Sequence, residues 1–261
     1  MKSSWKILFS ILLIFSILII SNSCEKDPVK PEEDTGPGIP EKFDDGWEIS
    51  TPTIQGMDIE KIRALSTKIH NGDYNKVDGF LIVRNDKLIW EEYFNGYRVD
   101  RLHRCYSVTK SVNSALIGIA IENGVLENVD QTIKNFFPEY ADIINQSERK
   151  KKLNLFHLLT MTDGLEWDEL SYPYSDSRNS YSQWTGHDDR IRYVFERSAR
   201  SEPGTHFAYN SGISVILGEI LHRATEYDVI TFAQKNLFAP LGITDFNWST
   251  IYSKYFDCSC E

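Results

Sequence analysis

Cysteine is scarce in this 261-residue chain, with residues only at positions 24, 105, 258 and 260. Cys105 stands alone and reads as packed. Cys258 and Cys260 could pair with each other or with an outside thiol, although their terminal position favours disorder. The six histidines contain no His-Glu-x-x-His pattern, so neither residue type supports a metal site. There is no phosphate-binding glycine loop and no internal repeat, and no cofactor is expected. Positive charge is also short: 28 Lys and Arg against 38 Asp and Glu leave a formal charge of −10, which excludes a basic surface for nucleic acid. The longest apolar run, Ile7 to Ile20, has fourteen residues and is too short for a comfortable membrane span.

That run instead fits the apolar centre of an export signal. Lys2 and Lys6 precede it, and Ser21-Asn22-Ser23-Cys24 follows. Small residues before a lone cysteine resemble a loose bacterial lipobox, with Cys24 lipidated after cleavage. An uncleaved anchor and a cut near Ser23 are the other readings. Residues 1–23 are therefore expected to be a signal peptide, and the chain to be anchored by Cys24 to the bacterial cell envelope, facing the periplasm or the outside. Residues 24–46 read as an acidic tether. Glu25 to Gly46 holds four of the nine prolines, three glycines and eight acidic residues against three lysines, which cannot bury a core. The acidic stretch from Asp163 to Asp176 could line a site entrance, but a solvated loop is the favoured reading.

Chemistry is suggested where Ser107-Val108-Thr109-Lys110 opens a long apolar helix closed by Asn123-Gly124. Residues three apart lie on one helical face, so Ser107 and Lys110 can meet. A serine hydroxyl needs a neighbour to take its proton, and a lysine can do so when apolar burial disfavours its charged form. Val108, Val112, Ala115, Leu116, Ile119 and Ala120 recur at helical spacing as that setting. Ser-x-x-Lys also occurs at Ser3/Lys6, Ser23/Lys26 and Ser147/Lys150, but only Ser107 heads an amphipathic helix.

Four stretches stand in order around this pair: Arg104 to Ser111, Leu158 to Leu165, Glu202 to Gly212 and Leu237 to Ile243. Together they resemble the serine β-lactamase-like superfamily in its class C branch, with its β-lactamases, D-alanyl peptidases, esterases and aminohexanoate-oligomer hydrolases. The resemblance spans roughly Asp78 to Trp248. It implies that Ser107 is the acylated nucleophile, Lys110 its partner in proton transfer and Tyr209 the phenol that shuttles a proton to the leaving group. Ser211 stands where many relatives carry asparagine and would touch substrate, a departure that points toward the esterase and amide-hydrolase relatives. The substrate would be a small molecule or peptide with an ester, amide or lactam carbonyl. A non-catalytic cell-wall-binding lipoprotein, or an inactive fragment, is the alternative. His206 reads as a bystander.

The family's late Lys/His-x-Gly motif does not follow Tyr209, and the expectation is a reading frame that ends early. The fold class expected is α/β (α+β), β-lactamase/transpeptidase-like, with helices around an antiparallel sheet whose C-terminal strands are missing. The partial hydrolase domain would run over residues 47–251, followed by an atypical tail at 252–261. Strands are predicted at Gly79–Arg84 and Leu88–Phe94 around the turn Asn85-Asp86-Lys87. A helix capped by Asp58 carries Ile59, Ile62, Leu65 and Ile69, and further helices are expected at Leu155–Met161, Asp189–Glu196, Ser214–Ala224 and Val229–Leu237.

Overall fold

Asn85 and Asp86 both adopt positive φ, 52° and 58°, which makes the two-residue turn whose twist suits a β-hairpin. It joins β2 (Gly79–Arg84) to β3 (Lys87–Tyr93), close to the predicted bounds. The register shifts between Ile82 and Val83, marking a bulge. The computed structural model describes residues 33–251 and 255–260, and these fall into two units that divide between Val99 and Asp100. The signal segment and Cys24 lie outside the described residues.

In the first unit a short strand not foreseen from sequence, β1 (Glu48–Ile49), pairs in parallel with β3, giving the order β1-β3-β2. The small sheet is thus mixed rather than purely antiparallel. β3 is central and buries Leu88, Ile89 and Trp90 in succession, whereas β2 leaves Leu81 and Val83 about half exposed. Asp58 caps α1 (Ile59–His70) by accepting from the Glu60 and Lys61 N–H groups, as its sequence position implies. Part of the expected tether is tied down in this unit. Asp34 accepts from the Thr53 N–H and hydroxyl, each at 2.7 Å, and Gly38 receives the Glu91 N–H at 2.9 Å. A Cβ on Gly38 would lie 2.1 Å from the Trp90 ring, so the backbone passes over that indole only because the residue is glycine.

The second unit is mainly helical. Its helices are α2 (Thr109–Glu122), α3 (Ala141–Ile144), α4 (Glu148–Lys151), α5 (Leu155–Leu159), α6 (Ser180–Thr185), α7 (Arg190–Glu196), α8 (Ser211–Thr225) and α9 (Val229–Ala233). α8 is capped by Asn210 and is its centre, buried on nearly every side through Leu221. Ile213, Ile216 and Ile220 of α8 join Leu116, Ile117 and Ala120 of α2, Leu155 and Leu158 of α5, and Val194 and Phe195 of α7 in one core. Gly212 permits the approach of α7: a Cβ there would stand 2.5 Å from Val194 Cγ2. The buried face of α2 runs through Thr109, Asn113, Leu116, Ile117 and Ala120, whereas the expected stripe members Val108 and Ala115 are exposed. Lys150, expected in a polar run, is 7% exposed and donates to the Phe195 carbonyl at 2.5 Å. Desolvation pulls its pKa below the usual lysine range. The expected single helix at Val229–Leu237 opens into a wider π-helical turn at Gln234–Phe238. Beyond it β4 (Trp248–Ile251) pairs antiparallel with β5 (Tyr255–Cys260), so residues 255–260, where disorder was expected, form a paired strand. Among the described residues, no helix is long and apolar enough to cross a membrane.

Candidate active site

Ser107 lies in a 3-10 turn, Tyr106–Val108, that leads directly into α2. Tyr106 takes φ +44°, a conformation that residues with a Cβ seldom adopt, so the backbone is strained one residue before the serine. Neither the turn nor α2 carries a side-chain cap hydrogen bond. One turn on, Lys110 Nζ donates to Ser107 Oγ at 3.1 Å. The hydroxyl of Tyr209, more than a hundred residues away in sequence, sits 2.5 Å from the same oxygen. Lys110 Nζ is also 5.1 Å from the centre of the Tyr209 ring, where a cation is attracted by the π face. The three side chains assigned to chemistry from sequence therefore converge on one oxygen.

Tyr209 is brought there by a backbone bracket. Met161 and Thr162 accept from the Ala208 and Gly204 N–H groups at 3.0 and 2.8 Å, and the Gly164 carbonyl receives Arg200 N at 2.8 Å. Gly164 has φ +72°, and a Cβ would lie 2.5 Å from the Ser201 carbonyl oxygen, so this contact requires glycine. The Leu158 to Leu165 stretch, recognised in sequence without a role, thus braces the segment that ends at Tyr209.

Ser211 is placed differently from its expected meeting with substrate. It is 5% exposed, and both its N–H and its hydroxyl go to the carboxylate of Glu169, at 2.9 and 2.6 Å. Glu169 itself is 3% exposed and belongs to the stretch expected to be a solvated loop. Trp167 Nε1 donates to Oε2 at 2.9 Å and the Tyr174 hydroxyl to Oε1 at 3.2 Å. Burial and this carboxylate push the Tyr174 phenol up to about 12. Asp163, 2% exposed, is the second buried acid of that stretch. Its Oδ1 accepts the Leu165 N–H at 2.8 Å, while Oδ2 faces the Asn210 amide without completing a well-formed bond. Burial raises its carboxyl to about 6, against the opposing pull of those donors.

Sequence reading missed Glu169. Its signal was an acid set among Trp167, Tyr172, Tyr174, Tyr181 and Trp184, company in which a carboxylate is seldom merely solvated. His206 is exposed and paired with the Thr205 hydroxyl at 2.8 Å, and Cys105 is exposed rather than packed. No cluster of three or more potential metal ligands occurs among the described residues.

Fold and site together describe a mixed α/β protein with a serine held between an amine and a phenol. The Beta-lactamase family model matches residues 72–251, and the chain belongs to that family. It is 27% identical over 186 residues to monacolin J acid methylbutanoyltransferase of Aspergillus terreus, covering 67% of this chain and 44% of that protein. It is 22% identical over 201 residues to 6-aminohexanoate-dimer hydrolase of Paenarthrobacter ureafaciens, covering 73% of this chain and 50% of that one. The chain thus spans half or less of the length of these relatives. Among solved structures, EstCE1, a hydrolase with promiscuous acyltransferase activity, shares the fold with TM-score 0.57 at 20% identity, covering 73% of this chain and 54% of that one. The relatives are hydrolases and acyltransferases of β-lactamase-like fold.

Proposed function

We propose that this protein is an acyl-transfer enzyme, a serine hydrolase in which Ser107 is acylated by an ester or amide substrate. The carrying observation is the convergence of Lys110 Nζ and Tyr209 Oη on Ser107 Oγ at 3.1 and 2.5 Å. The Ser107 proton passes to the Tyr209–Lys110 pair as Oγ attacks the carbonyl carbon. The carbonyl π pair moves to oxygen, where the N–H groups at the start of α2 favour the negative charge. Collapse breaks the bond to the leaving oxygen or nitrogen, which takes one proton through Tyr209 and departs as an alcohol or amine. Water then attacks the acyl-enzyme by the same steps in reverse and frees Ser107. An alcohol in place of water would make the reaction an acyl transfer, a second reading favoured by the named acyltransferases among the relatives.

Ester and amide substrates suit the named relatives better than lactams do. No cofactor or nucleic acid enters this scheme. Export and lipid anchoring through Cys24 are proposed from the signal-like start alone. A Cys24→Ser variant that still incorporates radiolabelled palmitate would remove that part of the proposal. The catalytic reading is tested by intact mass after exposure to an alkyl phosphonate. A single adduct that disappears in Ser107→Ala is expected. A folded wild-type protein without an adduct would favour the non-catalytic cell-wall-binding alternative.

A further inference from the structure

We propose that Glu169 is a positioning residue that holds Tyr209 against Ser107, an inference that rests on the acyl-enzyme reading above. The carboxylate accepts four hydrogen bonds. Oε2 receives Ser211 N and Trp167 Nε1, both at 2.9 Å, and Oε1 receives Ser211 Oγ at 2.6 Å and the Tyr174 hydroxyl at 3.2 Å. Its own backbone is held as well, because fully buried Asn179 donates to the Glu169 carbonyl at 3.0 Å. Two of the four side-chain bonds come from Ser211, the first residue of α8, two positions after Tyr209. A negative group at that helix start is also favoured by the helix dipole.

The geometry gives this carboxylate a mechanical role. Tyr209 Oη must lie within hydrogen-bond reach of Ser107 Oγ, and a misplacement of about 1 Å can cost roughly 10²-fold in rate. The segment carrying Tyr209 is braced on its N-terminal side by the Met161 and Thr162 carbonyls. On its C-terminal side the tie is Glu169, through both donors of Ser211. Glutamine could keep all four contacts, its carbonyl oxygen facing the two N–H groups and its NH2 donating to the two hydroxyls, whereas methionine keeps the length and offers the four donors no oxygen. Alanine at Ser211 would remove the hydroxyl and leave the N–H bond.

The test uses the full chain, purified in detergent, and the alkyl phosphonate as probe. The maximal labelling rate of Ser107 (kinact) is separated from probe affinity (KI) across pH. Glu169→Met is expected to lower kinact by roughly 10- to 100-fold, in line with a displaced proton-transfer group. KI should stay within about threefold, and the pH midpoint of kinact should shift, because binding contacts persist while the phenol moves. Ser211→Ala should lower kinact by about 3- to 10-fold, the loss of one of two ties. Ile216→Val, which weakens α8 from within the core, is the stability control. Wild-type kinact in folded Glu169→Met overturns the proposal. So does an equal loss of kinact in Ile216→Val at the same drop in Tm. If Glu169→Met does not fold, Ser211→Ala decides: an unchanged kinact and pH midpoint overturn the proposal. A wild type that is never labelled overturns the acyl-enzyme reading, and the positioning role falls with it.

Discussion

Asp163 and Glu169 stand six positions apart in one acidic stretch, and both are buried to within a few per cent, yet their oxygens keep different company. Glu169 is surrounded by four donors, two of them aromatic side chains and two from the start of α8. Asp163 has one good N–H bond and an amide that falls short of its other oxygen. A buried carboxylate is tolerable when donors replace the water it lost and costly when they do not. The first acid is therefore a site of stored electrostatic strain, with its carboxyl raised to about 6. The second is part of the scaffold beneath the candidate site.

The sharpest way to break this contrast is Glu169→Ala, which leaves four donors without their acceptor. It should cost about 3–5 kcal/mol of unfolding free energy in denaturant titrations, the scale for removing one partner from a buried charged network. A loss below about 1 kcal/mol would mean the carboxylate is dispensable to the fold. Next is Gly164→Ala, which tests the bracket beside Asp163. Positive φ and the 2.5 Å approach to the Ser201 carbonyl should together cost roughly 2–4 kcal/mol, read as a lowered Tm.

The third prediction concerns pH. The folded value of about 6 for Asp163 lies above the roughly 4 expected in an unfolded chain, so the folded state holds this proton more tightly. The stabilising contribution of the protonated form is complete below about pH 4 and is lost as pH rises through about 6. Acids held low by partners, such as Glu139 beside Arg223, act in the opposite sense, so the informative quantity is the difference between wild type and Asp163→Asn. That difference should shift in favour of Asp163→Asn by up to about 3 kcal/mol between pH 4 and 7. A flat difference would show that the carboxyl is not strained. The smallest effect is expected for Ser211→Ala, about 1 kcal/mol in the same denaturant titrations, because Glu169 keeps its other three donors.

Elements governed by near neighbours were legible in the amino-acid sequence. The Asn85-Asp86 turn, the Asp58 cap, the Asn123-Gly124 helix end and the one-turn meeting of Ser107 with Lys110 all depend on contacts within a few residues. Val108 shows where this reasoning failed. Its spacing fits the α2 stripe, but it belongs to the 3-10 turn before the helix and stays 64% exposed. The β1 pairing was equally hidden, since two residues carry no periodicity and their partner strand begins 39 positions later. The β4–β5 pairing was hidden for a related reason, as a short stretch read for disorder still found a partner strand.

Sequence alone was enough for the local geometry of this protein and, through the order of its motifs, for the family to which it belongs. Three things came from tertiary packing: that Tyr209 meets Ser107, that the Leu158 to Leu165 stretch braces the path to that phenol, and that Glu169 is buried at the head of α8. The reason is that burial and hydrogen-bond satisfaction depend on chain segments tens of residues apart, and no local pattern states which donors will surround a given carboxylate.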